Sequence, residues 1–374
     1  MNPFRYGNIV SGEYFYDREV ILSSLKSDIK SGNNLIIYAP RRYGKTSLIL
    51  KLLSELESEG MNVVYLDFFI VINLDKFVEL YSLKILKARK NISFEKLLKE
   101  FRTFVKSIIP SVSFDDSGLP SFSLSYSGRR DSGLTFEEVI NLPDNLPGKK
   151  KWVVVFDEFQ EINKLKGQSF EKQLRANIQH HKNVSYIFMG SKTHMLLNMF
   201  RDKSRAFYNI GKYIKIEKIP EPDSIDFLIT KFKGSGISLS EKGAHKILEY
   251  AQGIPYYIQF IASEVWQNSI GKKSVNIPVI ESAVDRIIYS QQDFYREIFG
   301  TLSVYQKQVL YALAISGKNI FSKEYADANN LSSPSSSQRA IEKLLEEGII
   351  EKSENEFVFS DPFFSKWLLI NNLS

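Results

Sequence analysis

Three short runs of this chain are apolar at nearly every position: NLIIYA at 34–39, WVVVFDE at 152–158 and VSYIFMG at 184–190. A strand with apolar side chains on both faces has to be covered on both, and a parallel sheet packed between helices does this. Two more strand signals, NVVYLDF at 62–68 and YIKIEKI at 213–219, bring the set to five. Helical patterns at 46–58 and 169–180 follow NLIIYA and WVVVFDE. The alternation predicts an α/β domain built on a parallel sheet.

The remaining sequence divides around that domain. At 374 residues the chain exceeds what one hydrophobic core usually serves. The stretch between the second and third strands is too long for a simple crossover, so an insertion is expected at about 69–148. Within it Phe94, Leu97, Leu98, Phe101, Phe104, Val105, Ile108 and Ile109 share one helical stripe, predicting a helix from 94 that Pro110 stops. SVSFDDSGLPSFSLSYS (111–127) then alternates around a Gly-Pro turn as a hairpin does. Residues 222–295 show helical patterns at 223–233, 241–250, 256–268 and 277–289 and no convincing strand. From 303 to 374 the pattern is three helices and two short strands, GIIEKS and EFVFSD, the hairpin of a winged helix. The expected division is a core at 1–219, a helical lid at 220–295 and a winged helix at 296–374. SSPSSS (332–337) reads as a helix cap with Pro at the first turn, not as a linker.

Composition removes several classes of chemistry. The chain has no Cys, which excludes disulfides, thiolate zinc sites and cysteine nucleophiles, and its four His leave little for a histidine-rich metal centre. The first residues lack the apolar stretch of a signal peptide, and no apolar run approaches the roughly 18–20 residues that span a bilayer. The expected location is the cytoplasm, with no transmembrane segment.

NLIIYA runs directly into APRRYGKTSLILKLL. Set against G-x-x-x-x-G-K-[ST], the match is Gly44, Lys45 and Thr46, with Ala39 in place of the first Gly. A strand, a loop with inward N–H groups and a helix N-terminus together form an anion nest for phosphates. The candidate nucleotide-binding residues are therefore Ala39, Pro40, Arg41, Arg42, Tyr43, Gly44, Lys45, Thr46 and Ser47. Lys45 would neutralise phosphate charge and the Thr46 hydroxyl would hold Mg2+. The second motif is VVVFDEFQ, where two carboxylates leave the core at a strand's carboxyl end, the edge at which open α/β sheets bind ligands. Asp157 would complete the Mg2+ shell, and Glu158 would act as the general base for an attacking water. Ser191, after the strand end MG, is placed to feel the γ-phosphate. Arg201 and Arg205 follow it and could approach a phosphate, although a solvated basic turn accounts for either. Each motif arises readily by chance; both in this order, each at a strand end, do not.

With these residues the chain resembles the AAA+-like P-loop ATPases of the STAND group, above all the archaeal and bacterial AAA-ATPase-like proteins of the MNS clade. The resemblance rests on NPFRYGNIVSGEYFYDRE, APRRYGKTSL, VVVFDEFQEI, the MGS strand end, QGIPYYIQ and DPFFSKWL, and covers most of the chain outside the insertion. It implies an additive-strand P-loop NTPase core followed by a lid and a winged helix. It implies that the backbone around Ile9 and Val10, with the stretch containing Arg18, frames the adenine, and that the turn of Gly253 and Pro255 closes over the base. It also implies tolerance of Ala39 at the first Walker A position. No sensor-2 arginine is evident in the lid, which suits STAND proteins better than ring-forming motors. The implied activity is ATP and ADP binding with slow, Mg2+-dependent ATP hydrolysis that drives a molecular switch, Lys45, Glu158 and Ser191 being the catalytic set.

Charge bears on the partner. The chain has 49 Lys and Arg against 43 Asp and Glu, a net +6. Residues 81–110 carry eight bases and two acids, which accounts for the whole excess, whereas residues 303–374 carry seven bases and nine acids. Duplex binding draws most of its affinity from Lys and Arg on the docking face. The would-be recognition helix instead shows Glu342, Glu346 and Glu347 beside Arg339 and Lys343. A protein partner, held by the winged helix or the basic insertion, is the favoured expectation. The alternative is a DNA-associated ATPase similar to origin-recognition or mobile-element regulators. A nucleotide-bound scaffold that never hydrolyses is a third reading, and an oligomer is compatible with all three.

Overall fold

All five apolar runs form strands in the computed structural model, which describes residues 1–8, 15–16, 18–89, 94–106, 108–114, 120–126, 132–148, 150–165, 168–353 and 356–372. The chain forms two units. Arg18–Ala39 and Lys45–Ile216 make one; Met1–Asp17, Pro40–Gly44 and Glu217–Ser374 make the other.

The first unit holds strands β1 (Leu35–Tyr38), β2 (Asn62–Asp67), β3 (Ile108–Phe114), β4 (Pro120–Tyr126), β5 (Trp152–Asp157), β6 (Val184–Gly190) and β7 (Lys212–Lys215). Five of them make a parallel sheet in the order β2-β5-β6-β1-β7. This is an α/β fold with a parallel core, and β6 is the strand added between β1 and β5. Every residue of β5 and β6 is buried, as expected of a sheet covered on both faces. Helix Lys45–Ser58 buries Leu48, Ile49, Leu52, Leu53 and Leu56, a stripe with helical spacing. Within 69–148, helix Leu74–Ala88 contributes Phe77, Tyr81 and Ile85, and helix Ser132–Ile140 contributes Phe136 and Val139, to one cluster with Phe156 and Phe188.

Two local expectations are corrected. The helix from 94 ends at Phe104, and Ile108 and Ile109 start β3, paired antiparallel with β4. A residue before proline is pushed out of the helical region, and adjacent β-branched residues favour a strand, so Pro110 acts on the backbone earlier than the apolar stripe suggests. The stretch 222–295, read as strandless, contains the two-residue strands β8 (Ser238–Leu239) and β9 (Ser274–Val275), paired in parallel. Strands that short carry no period to detect.

Gly211 shows how closely β7 is fitted. The Lys212 N–H donates to the Asn34 carbonyl at 2.9 Å, and a Cβ on Gly211 would run into that same carbonyl. Gly211→Ala is therefore expected to cost about 1–3 kcal/mol as overpacking. The readout is a lower urea midpoint at unchanged m-value; an unchanged midpoint would contradict the close fit.

The second unit is largely helical. Helices Glu221–Gly234, Glu241–Ala251, Pro255–Gln267 and Ile277–Ser290 match the lid segments expected from sequence to within a few residues. The N-terminal segment lies on the third of these: the Asn2 amide donates to the Ser263 hydroxyl at 2.8 Å, the Arg5 N–H donates to the Gln259 side chain at 3.0 Å, and Tyr6 stacks on Phe260. Helices Val304–Ile315, Lys323–Ala328 and Pro334–Glu346 lead into the antiparallel pair β10 (Ile350–Ser353) and β11 (Glu356–Phe359). Ser333 caps the helix that Pro334 opens, accepting the Ser336 N–H, as the sequence SSPSSS suggested. Among the described residues no helix is long and apolar enough to cross a membrane.

Candidate functional site

The carboxyl ends of β5 and β6 and the start of helix Lys45–Ser58 bring the charged candidates of the first unit together. Lys45 is only 6% exposed, and its ammonium lies 3.5 Å from the Ala39 carbonyl. The positive end of the helix dipole at this start favours an anion. Asp157, 5% exposed at the end of β5, accepts the Glu158 N–H at 2.8 Å on Oδ1 and the Tyr65 hydroxyl on Oδ2. Tyr65 comes from β2, the strand next to β5, and its phenol also meets the Thr46 side chain. Burial pushes the Asp157 carboxyl above its ordinary range, against the opposing pull of Tyr65 and Lys45.

Glu158 is held differently. Its backbone is left-handed, φ 48°, where the chain turns out of β5. Its Oε2 accepts three hydrogen bonds, from the Gln160 amide at 2.5 Å, the Ser191 N–H at 3.2 Å and the Ser191 hydroxyl at 2.9 Å. Burial raises this carboxyl, but Lys45, Gln160 and Ser191 together outweigh burial and hold it below its ordinary value. The oxygen of the same Gln160 amide, Oε1, is buried with no hydrogen-bond partner among the described residues. The space for this amide exists because residue 190 is glycine: a Cβ there would collide with Gln160 Oε1.

The two arginines after β6 are engaged elsewhere. Arg205 pairs with the buried Glu171 and donates to the Asn163 side chain at 2.9 Å, and Arg201 lies 5.3 Å over the Tyr213 ring. A buried carboxylate without its cation is costly, which explains why Arg205 is drawn inward and is not a solvated turn residue.

Pro40–Gly44 group with the second unit. Arg42 and Gly44 have φ of 71° and 79°, the left-handed positions that aim successive N–H groups to one side. For Gly44 this costs nothing; for Arg42 it costs about 1–2 kcal/mol. The Arg42 carbonyl accepts the Tyr256 N–H at 3.3 Å, its guanidinium lies 5.1 and 4.9 Å over the Tyr256 and Tyr257 rings, and it pairs with Asp361 at 3.3 Å. Tyr43 is buried and its phenol is pushed up to about 12, by burial first and then by Glu351 and Glu217. Gly253 is left-handed at φ 69° and Pro255 opens helix Pro255–Gln267. Arg18 precedes helix Glu19–Lys30, its N–H on the Glu19 carboxylate at 3.0 Å. Arg41 is exposed, Pro40 and Ser47 half-buried. Ile9 and Val10 lie outside the described residues.

A family model described as an ATPase domain predominantly from Archaea matches residues 15–261. The chain belongs to this family. A probable winged helix domain matches residues 293–370 of the same chain. No curated protein matches the chain. Among solved structures it is similar to a Walker-type ATPase of Pyrococcus abyssi, at 17% identity and TM-score 0.67 over 98% of this chain and 99% of that one. It is also similar to the Aeropyrum pernix ORC2 protein in its ADPNP and ADP complexes, at 12% identity, TM-score 0.52, and 99% and 100% coverage. The Aeropyrum pernix ORC1 protein in complex with DNA gives 14%, 0.50, 97% and 96%. At these identities the likeness is one of fold.

Three side chains near the archaeal ATPase motifs were not singled out from sequence: Tyr65, Gln160 and Asp361. Gln160 stands two residues past Glu158 and was open to suspicion. Tyr65 and Asp361 are 92 and 319 residues from the groups they hold, and nothing local marks them.

Proposed function

We propose that this ATPase-domain protein binds ATP on residues 39–47 and hydrolyses it slowly as a STAND-type molecular switch. The observation that carries the reading is the convergence of Asp157, Glu158 and Ser191, joined by hydrogen bonds, with the Lys45 charge acting on both carboxyls and Tyr65 joining Thr46 to Asp157. Thr46 and Asp157 suit Mg2+, a hard cation that prefers oxygen ligands, and a carboxyl pushed up by burial gains from a cation beside it. Mg2+ would supply charge neutralisation at the β- and γ-phosphates. Lys45 would bind the γ-phosphate. Glu158 would orient a water and take its proton as the oxygen attacks phosphorus and the bond to ADP breaks. Ile9, Val10, Arg18, Gly253 and Pro255 are proposed for the base, and the division at 219 and 295 is proposed as the functional one.

Slow turnover is supported by the state of Glu158. A carboxylate that accepts three hydrogen bonds and is held below its ordinary range is a weak base. Hydrolysis would await release of Glu158 from Ser191 and Gln160. Phosphate release from Mg2+-ATP in a coupled assay tests the reading: a measurable rate supports it, and co-purifying nucleotide with no release favours the scaffold.

A second reading has the winged helix in its favour, since ORC1 of similar fold is seen with DNA. Against it, helix Pro334–Glu346 exposes Glu342 and Glu346 beside Arg339 and Lys343. We expect no gel shift with duplex DNA at about 50 mM salt, because too few bases are available for counterion release. A shift that weakens steeply with added salt would favour the DNA reading over a protein partner at the winged helix or the basic stretch.

A further inference from the structure

The phosphate loop is held from far along the chain. Asp361 divides its carboxylate between two tasks: Oδ1 accepts the Phe363 N–H at 2.9 Å and caps helix Pro362–Asn372, while Oδ2 faces the Arg42 guanidinium at 3.3 Å and the Tyr295 hydroxyl at 3.4 Å. An Asp before a Pro at a helix start is fully explained as a cap, so the sequence gives no reason to expect the second task. Arg42 is the residue that needs support. It occupies a left-handed position without being glycine, at φ 71°, in the loop whose N–H groups would cradle phosphate. Three contacts fix it there: the Tyr256 N–H on its carbonyl, the two tyrosine rings under its guanidinium, and Asp361. The side of this cluster away from Arg42 is tied down as well. The Tyr257 hydroxyl donates to the Ser360 carbonyl at 3.2 Å, and its ring meets Phe363 edge-on. Asp361 is thus fixed independently of Arg42, and its side chain is only 16% exposed.

We infer that Asp361, at the start of the C-terminal helix, is a positioning residue for the nucleotide site: through Arg42 it holds the phosphate loop in its anion-binding conformation. This rests on reading residues 39–47 as the phosphate site. The consequence is a direct mechanical link between that loop and the C-terminal module, so that displacing the module by a partner loosens nucleotide, and binding nucleotide favours the docked module.

The test is a titration of mant-ADP, and of mant-ATP with Mg2+, into the full chain. Asp361→Asn keeps the cap through Oδ1 and turns an amide donor toward Arg42, so the Kd is expected to rise roughly tenfold. In an Arg42→Gly background the left-handed residue needs no support, and the same Asp361→Asn change is expected to alter the Kd by less than about twofold. An unchanged Kd for Asp361→Asn, or the same loss in both backgrounds, would overturn the inference, the second because it marks a role independent of Arg42. If Asp361→Asn does not fold, Arg42→Met on the exposed partner carries the test. It keeps the Cβ and loses the pairing, and is expected to bind more weakly than Arg42→Gly; equal or tighter binding overturns the inference. Lys45→Ala in the same series separates the failures. If it binds as the wild type does, the phosphate-site reading itself fails; if it loses binding while Asp361→Asn does not, the link alone fails.

Discussion

Lys45→Ala is expected to abolish measurable nucleotide binding. The ammonium is buried at the mouth of helix Lys45–Ser58, where it helps hold Glu158 low and opposes the burial that raises Asp157. Its removal leaves two carboxylates facing an incoming polyphosphate with no balancing charge. Stripping one partner from a buried charge cluster costs about 3–5 kcal/mol, a loss of roughly two to three and a half orders of magnitude in affinity. Calorimetric titration of ATP and ADP measures it, and micromolar affinity retained in the variant would contradict the assignment of residues 39–47. The thermal midpoint should be recorded alongside, since Leu48, Ile49 and Leu52 on the same helix lie in the core and a folded variant is required for the comparison.

Glu158→Gln is expected to separate binding from turnover. Glutamine has the same shape, and its oxygen can still accept the Ser191 N–H and hydroxyl, so nucleotide affinity should change little. What it lacks is a basic oxygen for the proton of water. A general base contributes about 100- to 10,000-fold, and the single-turnover rate should fall by that factor. A rate equal to the wild type's would remove Glu158 from the mechanism. The two variants thus give opposite patterns: one without binding, the other with binding and no chemistry.

Much of this was readable from local pattern. The burial of β5 and β6 on both faces is written in WVVVFDE and VSYIFMG, and helix Lys45–Ser58 in the spacing of Leu48, Leu52 and Leu56. Lys45, Asp157, Glu158 and Ser191 could be named because each sits at the end of a recognisable element, and topology carries such ends to one edge of the sheet. Local pattern misled where two signals overlapped. Ile108 and Ile109 continue a helical stripe and also form a β-branched pair before Pro110, and the backbone restriction at proline prevailed.

The sequence by itself determined the class of sheet, and marked the loop at 39–47 and the acidic pair as candidates, because each depends on residues a few positions apart and on the sign of their hydrophobicity. Tertiary structure alone decided what those groups do to one another. It set β6 between β1 and β5, put Tyr65 against Asp157, turned Glu158 into the donors of Ser191 and Gln160, and joined Arg42 to Asp361. Charge, hydrogen bonding and desolvation act across a few ångströms of space whatever the separation along the chain, so only the folded arrangement says which carboxylate is pushed up by burial, which is held low by its donors and which is paired with an arginine.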